Sequence, residues 1–391
     1  MLNSIAIENF RSCNQIHIRL GEPVIALLGK NGAGKTNVLH AIQLAADMCV
    51  GEPKSMFGLS AHNRQKPTKF ELEFSEGGGN FRYSVKRSAS PIHRSQLEEK
   101  LELDGKTLFH RKGDELTVSR AQHPAPIRVP DHLGTLFLLT EVFPPHDQIH
   151  KELTRVSNYL RAVHYYALPQ QFQEHAERSP TPFVDAAMYD KWKASLEARQ
   201  PNDSVTIRLL HMHLTKPDKL NELLKLVGED GLGLISEIRI EEVKLEKHRK
   251  PTDAGEQVYS VTFVPCESIA GAGRPFRYTG LSAGTWRVIR LLTYLVFDES
   301  SCMLVEQPED SIHTGLLGKL IDLLRTYSDR TQLICTTHSP RVMNLVGASG
   351  IRVVTADHGR TEVSELSQAE IDASQVYLQD EGTLAEYLET L

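Results

Sequence analysis

Gly29-Lys30-Asn31-Gly32-Ala33-Gly34-Lys35-Thr36 reads G-x-x-x-x-G-K-T. The apolar run Pro23-Val24-Ile25-Ala26-Leu27-Leu28 precedes it and predicts a buried strand. Behind it, Val38, Leu39, Ile42 and Leu44 among small and polar residues predict a helix. Strand, glycine turn and helix in that order make an anion site, because the backbone N–H groups of the turn and of the helix N-terminus all point at one place. In that geometry Asn31, Gly32 and Gly34 bring backbone up to phosphate oxygens. Lys35 reaches the phosphates, and the Thr36 hydroxyl can ligate Mg²⁺. The stretch therefore predicts binding of a nucleoside triphosphate with Mg²⁺.

The rest of the chain bounds the setting. At 391 residues it is long enough for a nucleotide domain plus an elaboration. Composition is ordinary for a soluble protein, 40% hydrophobic and 24% charged, with a net charge of −6 that gives no global pull toward nucleic acid. No apolar stretch reaches the ~18 residues of a membrane span, and Met1-Leu2-Asn3-Ser4-Ile5 carries no basic segment before an apolar core. Cys13, Cys49, Cys266, Cys302 and Cys335 show no C-x-x-C pair, which fits a reducing cytoplasm. The histidines lack H-E-x-x-H spacing, and His211 and His213 stand two apart in a helical stretch, facing different ways.

Strand signals dominate residues 1–30, where Ile16, Ile18 and Leu20 alternate with polar residues. Beyond the first helix, Lys69-Phe70-Glu71-Leu72-Glu73-Phe74 and Phe81-Arg82-Tyr83-Ser84-Val85 flank a glycine-rich turn, and Asp104-Gly105 marks a second hairpin. Antiparallel strands thus follow the loop–helix unit, where a simple doubly wound fold would repeat strand and helix. Residues around 130–160 and 185–230 predict helices, interrupted at Pro180-Thr181-Pro182. Strands resume at Ile235–Ile240 and Val258–Val264, and the last third alternates helix and strand, with a closing helix near Thr383–Leu391.

Three further segments lie in that last third. Leu281-Ser282-Ala283-Gly284-Thr285 stands at a predicted helix start, Cys302-Met303-Leu304-Val305-Glu306 is an apolar strand ending in an acid, and Leu333-Ile334-Cys335-Thr336-Thr337-His338 is a strand ending in threonine and histidine. Each alone is weak; their order and spacing are informative. Together with the phosphate loop and the opening Ile7-Glu8-Asn9-Phe10-Arg11-Ser12, they resemble the soluble branch of the ATP-binding-cassette ATPases, which includes SMC, RecF, OLD-family and phage-defence ATPases. The resemblance covers roughly residues 1–90 and 275–345.

It implies an α/β fold: an ABC-type ATPase head with a P-loop, a mixed and antiparallel β lobe and an inserted helical lobe. The expected division is an N-terminal lobe at 1–130, a mainly helical insertion at 131–233 and a C-terminal lobe at 234–391. The resemblance also implies ATP as the nucleotide, and roles for single residues. Arg11 lies near the phosphates. Ser282 and Gly284 cap the γ-phosphate held by a partner's P-loop, so that heads pair head to tail as a homodimer or higher homo-oligomer. Glu306 is the Walker B acid holding Mg²⁺, His338 the switch histidine, and Asp310-Ser311 the D-loop. Gln170 or Gln171 is the candidate Q-loop residue.

One position departs from the pattern. The residue after the Walker B acid is normally a glutamate acting on the attacking water, and here it is Gln307, an amide that cannot serve as a general base. Gln307 fits a deliberate Glu→Gln replacement that traps ATP, the favoured account, or a natural protein that hydrolyses slowly and uses binding as its switch. No long heptad run accommodates an SMC arm, and the stretch after His338 is too short for a Toprim nuclease domain. The expectation is a cytoplasmic ATPase subunit, without a membrane partner, that dimerises on ATP and controls a separate effector, a nuclease or toxin, in anti-phage defence. The alternatives are a RecF-like DNA-binding repair ATPase, for which Lys244, Lys247, His248, Arg249 and Lys250 offer a basic stretch, and a scaffold that binds nucleotide without turnover.

Overall fold

Alternating side chains build the first layer. In strand β1 (Leu2–Phe10) Leu2, Ile5 and Ile7 are buried, and in β2 (Cys13–Arg19) Ile16 and Ile18 are buried between exposed Gln15, His17 and Arg19. The same period shapes β4 (Thr68–Glu76), β5 (Gly79–Arg87), β6 (Leu97–Leu103) and β7 (Lys106–Lys112), followed by the short β8 (Glu115–Val118) and β9 (Ile127–Arg128). These eight strands form one antiparallel sheet in the order β2-β1-β4-β5-β6-β7-β8-β9. One-sided burial is what antiparallel pairing permits. Its buried face holds the ion pair of Glu99 with Arg111 at 3.3 Å, and the Tyr83 hydroxyl donates to the same carboxylate at 2.8 Å.

The second layer is apolar on both sides. Strand β3 (Val24–Leu28), the run ahead of the glycine loop, is buried through Leu27. Beside it lie β15 (Gln332–Thr337), β14 (Cys302–Glu306) and β10 (Val163–Tyr166) on one side, and β16 (Ile351–Asp357) and β17 (Arg360–Glu365) on the other, in the order β10-β14-β15-β3-β16-β17. All pairs are parallel except β16–β17. Helix α1 (Lys35–Val50) packs against both sheets' strands, with Val38, Leu39, Ala41, Ile42, Ala45 and Ala46 in the same core as Phe70, Phe74 and Leu304. Helices α2 (Thr135–Val142) and α3 (Gln148–Arg161) add Leu139, Leu153 and Val156 to that core.

The protein, described by a computed structural model over residues 1–50, 63, 66–87, 97–119, 127–129, 134–166, 183–197, 204–245, 256–266, 275–373 and 383, divides into two units. The first comprises Met1–Ala167, Ser300–Glu309 and Ile321–Leu391, and the second Leu168–Glu299 and Asp310–Leu320. Residues 134–166, inside the stretch expected as the helical insertion, supply α2, α3 and β10 to the first unit.

The second unit holds the three-stranded antiparallel sheet β11 (Phe183–Asp185), β13 (Glu256–Pro265) and β12 (Ile235–Leu245), with helices α4 (Ala186–Glu197), α5 (Val205–Thr215), α6 (Pro217–Val227) and α7 (Ala283–Asp298). Helix α7 is buried at every position from Trp286 to Phe297, so Leu281–Thr285 leads into a core helix. Helices α8 (Thr314–Thr326) and α9 (Pro340–Val346) follow. No helix among the described residues is long and apolar enough to cross a membrane.

Candidate functional site

The C-terminal ends of parallel strands β3, β14 and β15 carry the loops that open a single cavity of about 320 Å³, and each strand delivers one motif to it. Its lining is Asn31, Gly32, Gly34, Lys35, Thr36 and Asn37 from the glycine turn and α1, Glu306 and Gln307 from the end of β14, and Thr336 and His338 from the end of β15. Eight residues named from sequence thus converge, from positions about 300 apart in the chain.

Gly32 (φ +81°) and Gly34 (φ +101°) adopt backbone that side chains avoid. At Gly34 a Cβ would also collide with the hydroxyls of Thr361 and Ser12. Lys35, only 7% exposed, donates from Nζ to the carbonyls of Gly29 (2.7 Å) and Lys30 (3.0 Å) and lies 3.0 Å from His338 Nε2. Burial pulls its pKa below the ordinary lysine value, while the charges of Glu306 and Glu309 oppose that shift. The lysine is therefore folded inside its own loop, with the histidine as a third partner.

A polar network lies behind the loop. Thr361, at the start of β17, donates its hydroxyl to the Ala33 carbonyl at 2.9 Å and meets Ser12 Oγ at 2.7 Å. Asn37 donates to the same Ser12 oxygen at 2.6 Å. Arg11 is not among the cavity-lining side chains. Its guanidinium bonds Asn37 Oδ1 at 3.2 Å and also His40 Nδ1. His40 in turn stacks edge-on with Tyr165 of β10, 4.7 Å between centroids. Burial and the Arg11 charge hold the His40 pKa low, and burial with the Glu306 charge raises that of Tyr165.

The turn after β14 is stitched to the end of β15. Gln307, at φ +42°, donates its backbone N–H to Thr336 O (3.0 Å) and Thr336 Oγ1 (3.2 Å). Thr36 and Glu306 both face the cavity, and a hydroxyl with a carboxylate is a hard-oxygen set suited to Mg²⁺. The fit is partial by design, because bound phosphate and water commonly complete the shell of this ion.

Within the second unit, Ser282 caps helix α7, accepting from the Thr285 N–H at 3.1 Å. A Cβ on Gly284 would strike the Ser311 carbonyl, so glycine is required where the start of α7 meets Ser311. Arg287, one turn on, lies 3.9 Å from Asp310. Gln170, Gln171 and the basic stretch 247–250 lie outside the described residues.

Asn37, His40, Tyr165, Thr336 and Thr361 escaped the sequence. Asn37 and Thr336 adjoin recognised motifs, and adjacency could have flagged them. Thr361 carried no signal, since it opens a polar edge strand.

Residues 1–113 match a family model described as "AAA ATPase domain". Residues 190–344 match one described as "AAA domain, putative AbiEii toxin, Type IV TA system". The chain is similar to the DNA replication and repair protein RecF of Rickettsia canadensis (strain McKiel), 42% identical over 43 residues, which is 11% of this chain and 12% of that protein. RecF of Rickettsia rickettsii (strain Sheila Smith) matches to the same extent. The chain thus spans 12% of the length of these curated relatives. In fold it is similar to an SMC head solved bound to the C-winged helix domain of ScpA, with a TM-score of 0.52 and 12% identity over 95% of this chain and 99% of that one. AAA ATPase family models thus match both halves of the chain, and the fold that carries them is that of an SMC head.

Proposed function

We propose that this chain is an ATP-hydrolysing molecular switch whose heads pair on ATP. The observation that carries it is the convergence of Lys35, Thr36, Glu306, Gln307 and His338 on one cavity. The backbone from Asn31 to Lys35 and the Lys35 ammonium would bind the β- and γ-phosphates. The Thr36 hydroxyl and the Glu306 carboxylate would hold Mg²⁺, whose charge neutralises phosphate oxygens when bound. His338, beside Lys35, would read the γ-phosphate. The Gln307 amide can orient a water by hydrogen bonding but takes no proton from it, so turnover would be slow. Ser282 and Gly284 would offer the N-terminus of α7 to the nucleotide of a second copy, head to tail.

The biological setting proposed is the regulatory ATPase subunit of an anti-phage system, acting on a separate effector. Two findings support it: the family description of a toxin in a Type IV TA system over residues 190–344, and the solved SMC head whose partner is another protein. Phosphate release from ATP, with and without EDTA and duplex DNA, tests this. Slow, EDTA-sensitive release indifferent to DNA is expected. No release under any condition contradicts an ATPase switch. Salt-dependent stimulation by DNA would favour the RecF-like alternative.

A further inference from the structure

The Gln307 position leaves the turn after β14 with one acidic side chain beyond Glu306 and ahead of the D-loop, and that is Glu309. It is not among the residues that line the cavity. It acts on the loop that does. Glu309 Oε1 accepts from the Thr337 hydroxyl at 2.6 Å and from the His338 backbone N–H at 3.0 Å. Thr337 Oγ1 then accepts from the Ser339 N–H at 2.9 Å. His338, so held, places Nε2 3.0 Å from Lys35 Nζ. One carboxylate oxygen thus fixes the three-residue turn that presents the histidine to the phosphate-loop lysine.

Fold stability alone gives little reason for this arrangement. The other oxygen, Oε2, is buried with no hydrogen-bond partner among the described residues, and a buried unpartnered polar atom is costly. Pro308 and the positive φ of Gln307 restrict the backbone that leads to Glu309.

We propose that Glu309 is the positioning residue of the switch histidine: its carboxylate clamps Thr337–His338, so that His338 meets Lys35 and the γ-phosphate in one fixed geometry. This rests on the ATPase reading above. The role needs an acceptor oxygen at Oε1, not a charge or a base, and that makes it separable from catalysis by Glu309 itself.

The test compares the parent, Glu309→Gln and Glu309→Ala as full-length chains. Hydrogen exchange at the His338 amide and ADP affinity are measured beside ATP turnover. Glu309→Gln keeps the acceptor, so near-parental exchange and kcat are expected. In Glu309→Ala the His338 amide should lose protection, and kcat should fall roughly 10- to 100-fold, the worth of two ordinary hydrogen bonds, while ADP affinity stays near the parent's. Retained ADP binding shows that the variant is folded; if it is lost, Thr337→Val, which removes only the side-chain bond, replaces it with the same expectation in smaller measure. Parental exchange and kcat in Glu309→Ala would overturn the clamp. A Glu309→Gln variant as impaired in kcat as Glu309→Ala would also overturn it, by showing that the charge or a proton acceptor matters. If the parent shows no turnover, the ATPase reading fails, and the exchange data alone decide: equal protection in every chain overturns the clamp, and loss confined to Glu309→Ala supports it.

Discussion

At the scale of single residues, the site is a set of atoms already in place. Lys35 has exchanged water for two carbonyls and an imidazole, so its ammonium is desolvated yet fully hydrogen-bonded. A desolvated cation interacts more strongly with an incoming phosphate than an exposed one. In the proposed mechanism the attacking water would lack a proton acceptor, because the residue at that position is Gln307. We expect Gln307→Glu to raise steady-state phosphate release, with general-base assistance typically worth ~10²–10⁴-fold. ATP affinity should barely change, since other groups would contact the phosphates. A rate equal to the parent's in a parallel assay would show that glutamine is no obstacle.

At the scale of elements, the phosphate loop is braced by a strand from the far end of the chain. The β16–β17 hairpin brings Thr361 under Ala33, and the Thr361 hydroxyl occupies the space that a Gly34 side chain would need. Thr361→Val keeps the shape and deletes the donor, leaving the Ala33 carbonyl without that bond. This should weaken nucleotide binding by about 1–3 kcal/mol, and Thr361→Ser should restore it. Titration with a fluorescent ATP analogue would decide, and equal affinity in all three chains would reduce Thr361 to a packing residue.

The same element shows what the sequence could and could not reveal. Strand β3 was legible because a buried parallel strand is a continuous apolar run, and β4 to β7 because half-buried strands alternate. Strand β17, R-T-E-V-S-E, is a half-exposed edge with a single buried residue, Thr361, so it left no apolar pattern to read. Strand β10, V-H-Y-Y, is too short to carry a pattern of its own, and its parallel pairing with β14 is a tertiary fact. The site residues were visible because their chemistry fixes residue type and spacing. The braces behind them were not, because a hydroxyl from any loop would serve.

At the scale of the whole molecule, the two units each carry part of the proposed machinery, the cavity in the first and the α7 signature in the second. ATP, but not ADP, should promote association of heads through Ser282 and Gly284. Ser282→Arg should block it by bulk. Because Ser282 also caps α7, and losing such a cap costs about 1 kcal/mol, the thermal transition of Ser282→Arg is measured beside association to show that the fold is kept. Light scattering with each nucleotide reads association directly, and a Ser282→Arg chain that associates like the parent would refute the composite site.

All of this stands on nucleotide occupying the cavity beneath Lys35. The most direct measurement is equilibrium binding of a fluorescent ATP analogue to the parent and to Lys35→Ala, each verified as folded by its thermal transition. The parent should bind in the presence of Mg²⁺. The variant should lose about 2–5 kcal/mol, the cost of removing one partner from a buried charge-assisted contact, which in practice abolishes measurable binding. A folded Lys35→Ala chain that binds ATP as tightly as the parent would contradict the account.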